Sequence, residues 1–327
     1  MQKISKPVQL FLLLTLGFAL WFPFVGDAFY VELLTNIMII AIFAMSLDLL
    51  VGYTGLVSLG HAAFFGIGAY GLGIFFGEMN QYSIWAALPV SLILTALAAV
   101  VIGWISIRTS GIYFIMLTLA LAQMFYFYFF ESKLYGGDDG MFINAKPDVN
   151  FGSIQLLDLG NEHTFYYFTL GILVAVFLFL VMILRAPFGQ VITGICANEQ
   201  RVRSLGYATQ RYKLVSFVIA GTLAGLAGFL EAAHTGFITP SYLGWHESGI
   251  ILVVVILGGL GTLYGPIIGA VALVLLEDFL PDITEHWKIV LGMIIVCVVL
   301  FLPNGISSLS GKIFRIPSQI MKAIFRG

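Results

Sequence analysis

The chain has 327 residues, 60% of them hydrophobic and only 10% charged, with a formal net charge of −2. Soluble domains run at about 45–50% apolar and about 25% charged residues, so this composition excludes an ordinary soluble enzyme and describes a polytopic membrane protein. Two cysteines, Cys196 and Cys297, make no disulfide framework, and five scattered histidines match no metal-ligand spacing, so neither a metal nor a cofactor is expected.

A helix needs about 20 apolar residues to cross the hydrocarbon core. In chain order the candidate spans are 8–25, 31–51, 62–77, 84–107, 112–130, 164–184, 213–233, 248–263, 264–280 and 287–303. The first follows Lys3 and Lys6 and resembles a signal peptide. No small-residue cleavage site comes after it and more spans do, which predicts an uncleaved helix. The eighth and ninth form one glycine-interrupted block. With both termini in the cytoplasm, twelve of the fifteen basic residues fall inside, and only Lys133, Lys146 and Lys288 fall outside. That is the positive-inside bias. The acids Glu131, Asp138, Asp139, Asp148, Asp158 and Glu162 gather in the outer loop 131–163.

The first motif is GYTGLVSLGHAAFFGIGAY at 52–70. Later come Gly221, Gly225 and Gly228, then Gly258, Gly259, Gly261, Gly265 and Gly269. Small residues let helix backbones approach closely where lipid supplies no drive for helix association. In the two densest clusters the spacing predicts broken helices, whose freed backbone groups need protein or a water-filled path. Thr54, Ser58, His61, Gly258, Gly259 and Gly261 are therefore the candidate translocation path. SLGHAAFFGIGA at 58–69 and TLYGPIIGA at 262–270 are similar, as a duplicated half would make them. Asp48, His61, Glu231, His234 and Glu247 lie at membrane depth, where a charge is costly and faces a cavity or a partner. The first two fall near the cytoplasmic end of their spans and the other three near the outer end.

Between two apolar spans lies the polar loop 185–213, with five cations and a single acid, Glu199. Within it ANEQRVRSLG at 197–206 reads as a short helix, with Asn198 as N-cap and Gly206 just past its end. Val202 and Leu205 are three apart and share a face, while Arg201 and Arg203 stay wet. Such a helix is a mechanical handle on which a partner docks. The tail, 304–327, alternates basic and apolar residues either as an amphipathic helix on the anionic leaflet, bent at Pro317, or as a frayed basic end. No phosphate-binding loop, dinucleotide fingerprint or HExxH is present; the nearest stretch, at 305–312, has the wrong spacing. No catalytic residue is assigned. Energy must come from a partner or from an ion gradient, the latter drawing on Asp48, His61 or Glu231.

The motif at 52–70 resembles that of the branched-chain amino acid ABC importer permeases. So do GGDDG at 136–140, Phe188-Gly189, Ala197-Asn198-Glu199, Leu205-Gly206, RYK at 211–213, AGLAG at 224–228 and LGGLGTLYGP at 257–266, whose order and spacing match the M-type (second) permease subunit. The resemblance implies an all-α ABC importer permease fold of about ten transmembrane helices in a bacterial inner membrane. The permease domain would span 1–303, followed by the cytoplasmic tail. The partners implied are a homologous second permease subunit, two cytoplasmic ATPase subunits, an extracytoplasmic solute-binding protein and the lipid bilayer, with no nucleic acid. Asn198, Glu199, Arg201, Val202, Arg203, Leu205 and Gly206 would form the coupling helix that an ATPase pushes. Branched-chain amino acids are the implied substrates, and urea or short-chain amides travel on the same scaffold. The chain departs from the family pattern at Ala186-Pro187 and at Glu231.

Overall fold

The computed structural model describes residues 15, 17–24, 26–79, 83–143, 147, 149–151, 154–302 and 305–307. From residue 28 onward, ten α-helices carry the fold among the described residues: α1 Ala28–Asp48, α2 Ala62–Met79, α3 Ile84–Ser106, α4 Ile112–Glu131, α5 Glu162–Arg185, α6 Pro187–Ser204, α7 Thr209–Thr235, α8 Trp245–Gly258, α9 Gly265–Ile283 and α10 Trp287–Phe301. α6 is the polar loop; the other nine fall on the second to tenth expected spans. Half of the first expected span lies outside the described residues; within the described half, 17–21 are helical. Beyond 307 the expected tail lies outside them altogether.

Among the described residues, five helical stretches are long and apolar enough to cross a membrane, including α1 with its extension, Ala28–Thr54, and α7. The centre of the bundle is α1, α2 and α7. α2 is buried on every side over its first turns, so no face of those turns reaches lipid. It can sit there because its glycines remove side chains from the contact. A Cβ at Gly68 would overlap the Gly225 carbonyl of α7, and one at Gly228 would overlap the Phe65 carbonyl of α2. Phe64 and Phe217 fill the remaining space edge to face, with ring centroids 5.5 Å apart. Outside this core, α3 exposes Ile93, Leu97, Val101 and Trp104, and α10 has no buried residue.

Two of the helices are broken where the glycine clusters predicted. α1 does not stop at Asp48 but runs into a six-residue π-helical turn, Leu49–Thr54. There the Thr54 hydroxyl donates to the Leu49 carbonyl five residues back at 2.8 Å, supporting the wider ring. Gly55, in the left-handed region at φ 77°, ends it, and extended chain leads to α2. The first N–H of α2, that of Ala62, is taken up by the Ser248 hydroxyl of α8 at 2.9 Å. The second break differs in position from the sequence reading. The eighth and ninth spans divide over 259–264 rather than after 263, because Gly259 (φ 118°) and Gly261 (φ 69°) adopt conformations closed to other residues. α8 is thus 14 residues, about 21 Å, short of the ~30 Å hydrocarbon core. The Ile306 N–H closes the open Leu257 carbonyl at 2.9 Å.

The loop 131–163 contributes to two small antiparallel ribbons that the sequence did not announce, one of them shared with the stretch after α7. β1 (Met141–Phe142) pairs with β4 (Phe237–Ile238), Met141 opposite Ile238, and β2 (Val149–Phe151) pairs with β3 (Ile154–Leu157). Gly140 turns the chain into β1 at φ 74°, with the Ile238 carbonyl where its Cβ would be.

Candidate functional site

The two breaks meet. Asp48, at the end of α1 and fully buried, accepts the Gly261 N–H on Oδ1 at 2.8 Å, while its Oδ2 is buried without a partner. Gly52, one turn on, lies against Gly261 backbone to backbone. The Thr262 hydroxyl donates to the Gly259 carbonyl at 2.7 Å and stiffens the second break.

Of the six path candidates, this junction contains Gly261, and its flanks contain the others. Gly258 is buried against Gly265, and Gly259 is buried beside Gly305. Thr54 hydrogen-bonds Ser216 of α7 at 2.7 Å, and Ser58 accepts the Gly60 N–H at 3.2 Å. His61, fully buried, pairs its Nε2 with Ser46 Oγ at 2.8 Å and stacks on Phe43 at 5.7 Å. Ser46 gives its one hydrogen to the Phe43 carbonyl at 2.6 Å, so Nε2 carries the imidazole proton and Nδ1, which has no partner, is the acceptor. Thr54, Ser58 and His61 thus hold the broken backbone from inside the chain's own packing. Ser46, Ser216 and Ser248, which complete these contacts, carried no signal in the sequence: a lone serine in an apolar helix looks the same whether or not it has a distant partner.

Glu231, Glu247 and His234 stand at the other ends of their helices. His234 stacks on Phe165 at 5.7 Å, and Glu231 has a buried Oε2 without a hydrogen-bond partner.

The polar loop is more helical than its sequence suggested. α6 starts at Pro187, where a missing N–H costs nothing, and kinks at Asn198 (φ −164°, ψ 98°). Asn198 Oδ1 accepts the Arg201 N–H at 3.0 Å, which is the predicted N-cap, and Gly206 takes the predicted left-handed turn at φ 89°. One expected feature is different. Val202 is 9% exposed but Leu205 is 71% exposed. The helix ends at Ser204, so Leu205 lies beyond the regular turn and leaves the stripe that Val202 begins. Arg201 and Arg203 are exposed as expected. Glu199 instead faces inward: it accepts from Thr209 Oγ1 at 3.1 Å and pairs with buried Lys213, fastening the second half of α6 to the start of α7.

α6 also touches the first break, since Cys196 Sγ lies 3.2 Å from where a Gly55 Cβ would stand. Partial burial against this turn pushes the Cys196 thiol up from its ordinary value. A raised value means less thiolate at neutral pH. Maleimide labelling of Cys196 is therefore expected to be slower than that of a free thiol at pH 7 and to keep accelerating above pH 9. A rate equal to that of free cysteine across this range would contradict the packing.

The arrangement is that of a multi-pass, all-α membrane permease: a core of broken helices with a polar helix seated on the break. The chain belongs to the family described as branched-chain amino acid transport system / permease component, whose profile matches residues 29–299. That family is a transport component, not an enzyme. The high-affinity branched-chain amino acid transport system permease protein LivM of Escherichia coli (strain K12) is 30% identical over 91% of this chain and 74% of its own length. The LivH permease of the same organism is 32% identical over 34% of this chain and 37% of its own length. An autoinducer 2 import system permease protein, LsrC of Photorhabdus laumondii, is 30% identical over 36% of this chain and 38% of its own length. No solved structure matches the chain.

Proposed function

We propose that this chain is the M-type permease subunit of an ABC importer for branched-chain amino acids, paired with a homologous permease. Two cytoplasmic ATPases would dock beneath it, and an extracytoplasmic binding protein would deliver substrate. The observation that carries the reading is the capped second half of α6, which offers Leu205, Arg201 and Arg203 to a partner while Glu199 and Lys213 anchor it. The likeness to LivM over 91% of the chain supports the substrate. In this reading both termini and α6 are cytoplasmic, and 131–163 faces out, as the segregation of charge favours. ATP-driven closure of the ATPases pushes α6. The push reaches the π-turn through the Cys196–Gly55 contact and then the Asp48–Gly261 bond that joins the two breaks. A rocking of the permease pair between outward- and inward-facing states follows.

The test is to purify the chain from native membranes with its partners. ATPase subunits and a second permease are expected to co-purify, and a leucine-loaded binding protein to stimulate hydrolysis. Stimulation by urea- or acetamide-loaded protein instead would move the substrate to amides. A chain that comes alone, with uptake following a proton or sodium gradient, would sink the importer reading.

A further inference from the structure

Away from α6, the end of α3 and the start of α7 enclose a cleft of about 190 Å³, lined by Trp104, Ile107, Arg108, Gln210, Arg211 and Leu214. Two guanidinium-bearing side chains share it, and neither has a carboxylate: among the described residues the ion pair formed is Lys213–Glu199. Arg108 is held by an aromatic face instead, its guanidinium carbon 4.1 Å from the centroid of the Trp104 ring. A cation–π contact engages the face of the guanidinium and leaves the N–H donors on its edge to other partners. Both arginines are exposed and present like charge to one cleft, so an anion entering it meets two cationic donors at once.

The surroundings say which kind of anion. Trp104 is 57% exposed and stands at the end of the apolar stripe formed by Leu97, Val101 and Ile105. Indoles favour the depth where hydrocarbon gives way to headgroups. An acyl chain lying along the stripe would bring its phosphate to the two arginines, and arginine forks bind phosphate oxygens in pairs. We propose that this cleft binds the phosphate of an anionic phospholipid of the cytoplasmic leaflet. The assignment of leaflet rests on the topology given above, which labelling of Cys196 from one side of sealed cells decides independently.

The experiment uses the intact transporter in mild detergent, titrated with phosphatidylglycerol, phosphatidylcholine or inorganic phosphate, and reads bound lipid by native mass spectrometry and the thermal shift of the complex. Wild type is expected to retain phosphatidylglycerol in preference to phosphatidylcholine. The R108Q/R211Q variant is expected to bind phosphatidylglycerol about thirtyfold more weakly, about fivefold for each charge removed, and phosphatidylcholine as before. R108K/R211K keeps the charge without the fork and is expected to retain most of the preference; it serves as the fold control. Equal phosphatidylglycerol binding by wild type and R108Q/R211Q would overturn the proposal. So would an equal thermal shift from inorganic phosphate, which would make the cleft a site for soluble anions.

Discussion

Gly52→Ala is expected to reduce uptake to background and to destabilise the folded chain by roughly 2–5 kcal/mol, as overpacking and a broken buried hydrogen bond add. The added methyl would overlap both Asp48 Oδ1 and the Gly261 backbone nitrogen. Neither can move freely. Asp48 is the last residue of a buried helix, and Gly261 is held between Gly259 and α9. The 2.8 Å bond that unites the breaks would open, leaving a second unpaired oxygen on a buried carboxylate. Gly292→Ala is the control, because a Cβ there meets nothing within 4 Å. The readings are the temperature at which the purified complex loses its monodisperse peak and the initial rate of leucine uptake. Wild-type behaviour in both for Gly52→Ala would mean that the junction is loose enough to carry no force.

Leu205→Asp is expected to lower coupled uptake at least tenfold while leaving the melting temperature unchanged. Leu205 is 71% exposed, so the substitution removes almost no packing within the chain, and surface changes of this kind stay within about ±0.5 kcal/mol. In the importer reading proposed above, its cost would fall on the ATPase docking there, where a central apolar anchor is typically worth about 2 kcal/mol or more. Glu199→Arg separates docking from bracing. It places a cation beside Lys213, which is 7% exposed and has Glu199 as its ion-pair partner, so it is expected to lose both uptake and thermal stability. Normal transport by Leu205→Asp would remove the docking role from this end of α6, whatever Glu199→Arg does.

The sequence disclosed what bilayer physics enforces locally and hid what the fold decides at long range. Apolar length placed nine helices because an unpaired backbone is not tolerated in hydrocarbon. The Asn198 cap and the Gly206 turn were legible because a cap is a contact between near neighbours: Asn198 reaches an N–H three residues away. The glycine clusters announced the breaks. They did not announce that the breaks join, since Asp48 and Gly261 are 213 residues apart. Three-residue spacing puts Val202 and Leu205 on one face only while the helix continues, and this one ends at Ser204. The first half of α6 is not legible as a helix in the polar loop 185–213; in the fold Gly189 lets it pack closely against the Leu184 backbone. The ribbon between β1 and β4 joins strands from separate loops, so no local alternation marks it.

The π-turn at Leu49–Thr54 has a consequence of phase. A helix with a wider ring rotates less per residue, so the chain leaves this turn facing a direction that a continuous α-helix of the same length would not reach. Asp48, before the turn, addresses the loop between α8 and α9; Thr54, its last residue, addresses Ser216 on α7. One short stretch of backbone thereby keeps two appointments on different sides of itself. Tightening it to ordinary pitch would keep every residue and every composition-based reading intact while turning one of the two side chains away from its partner.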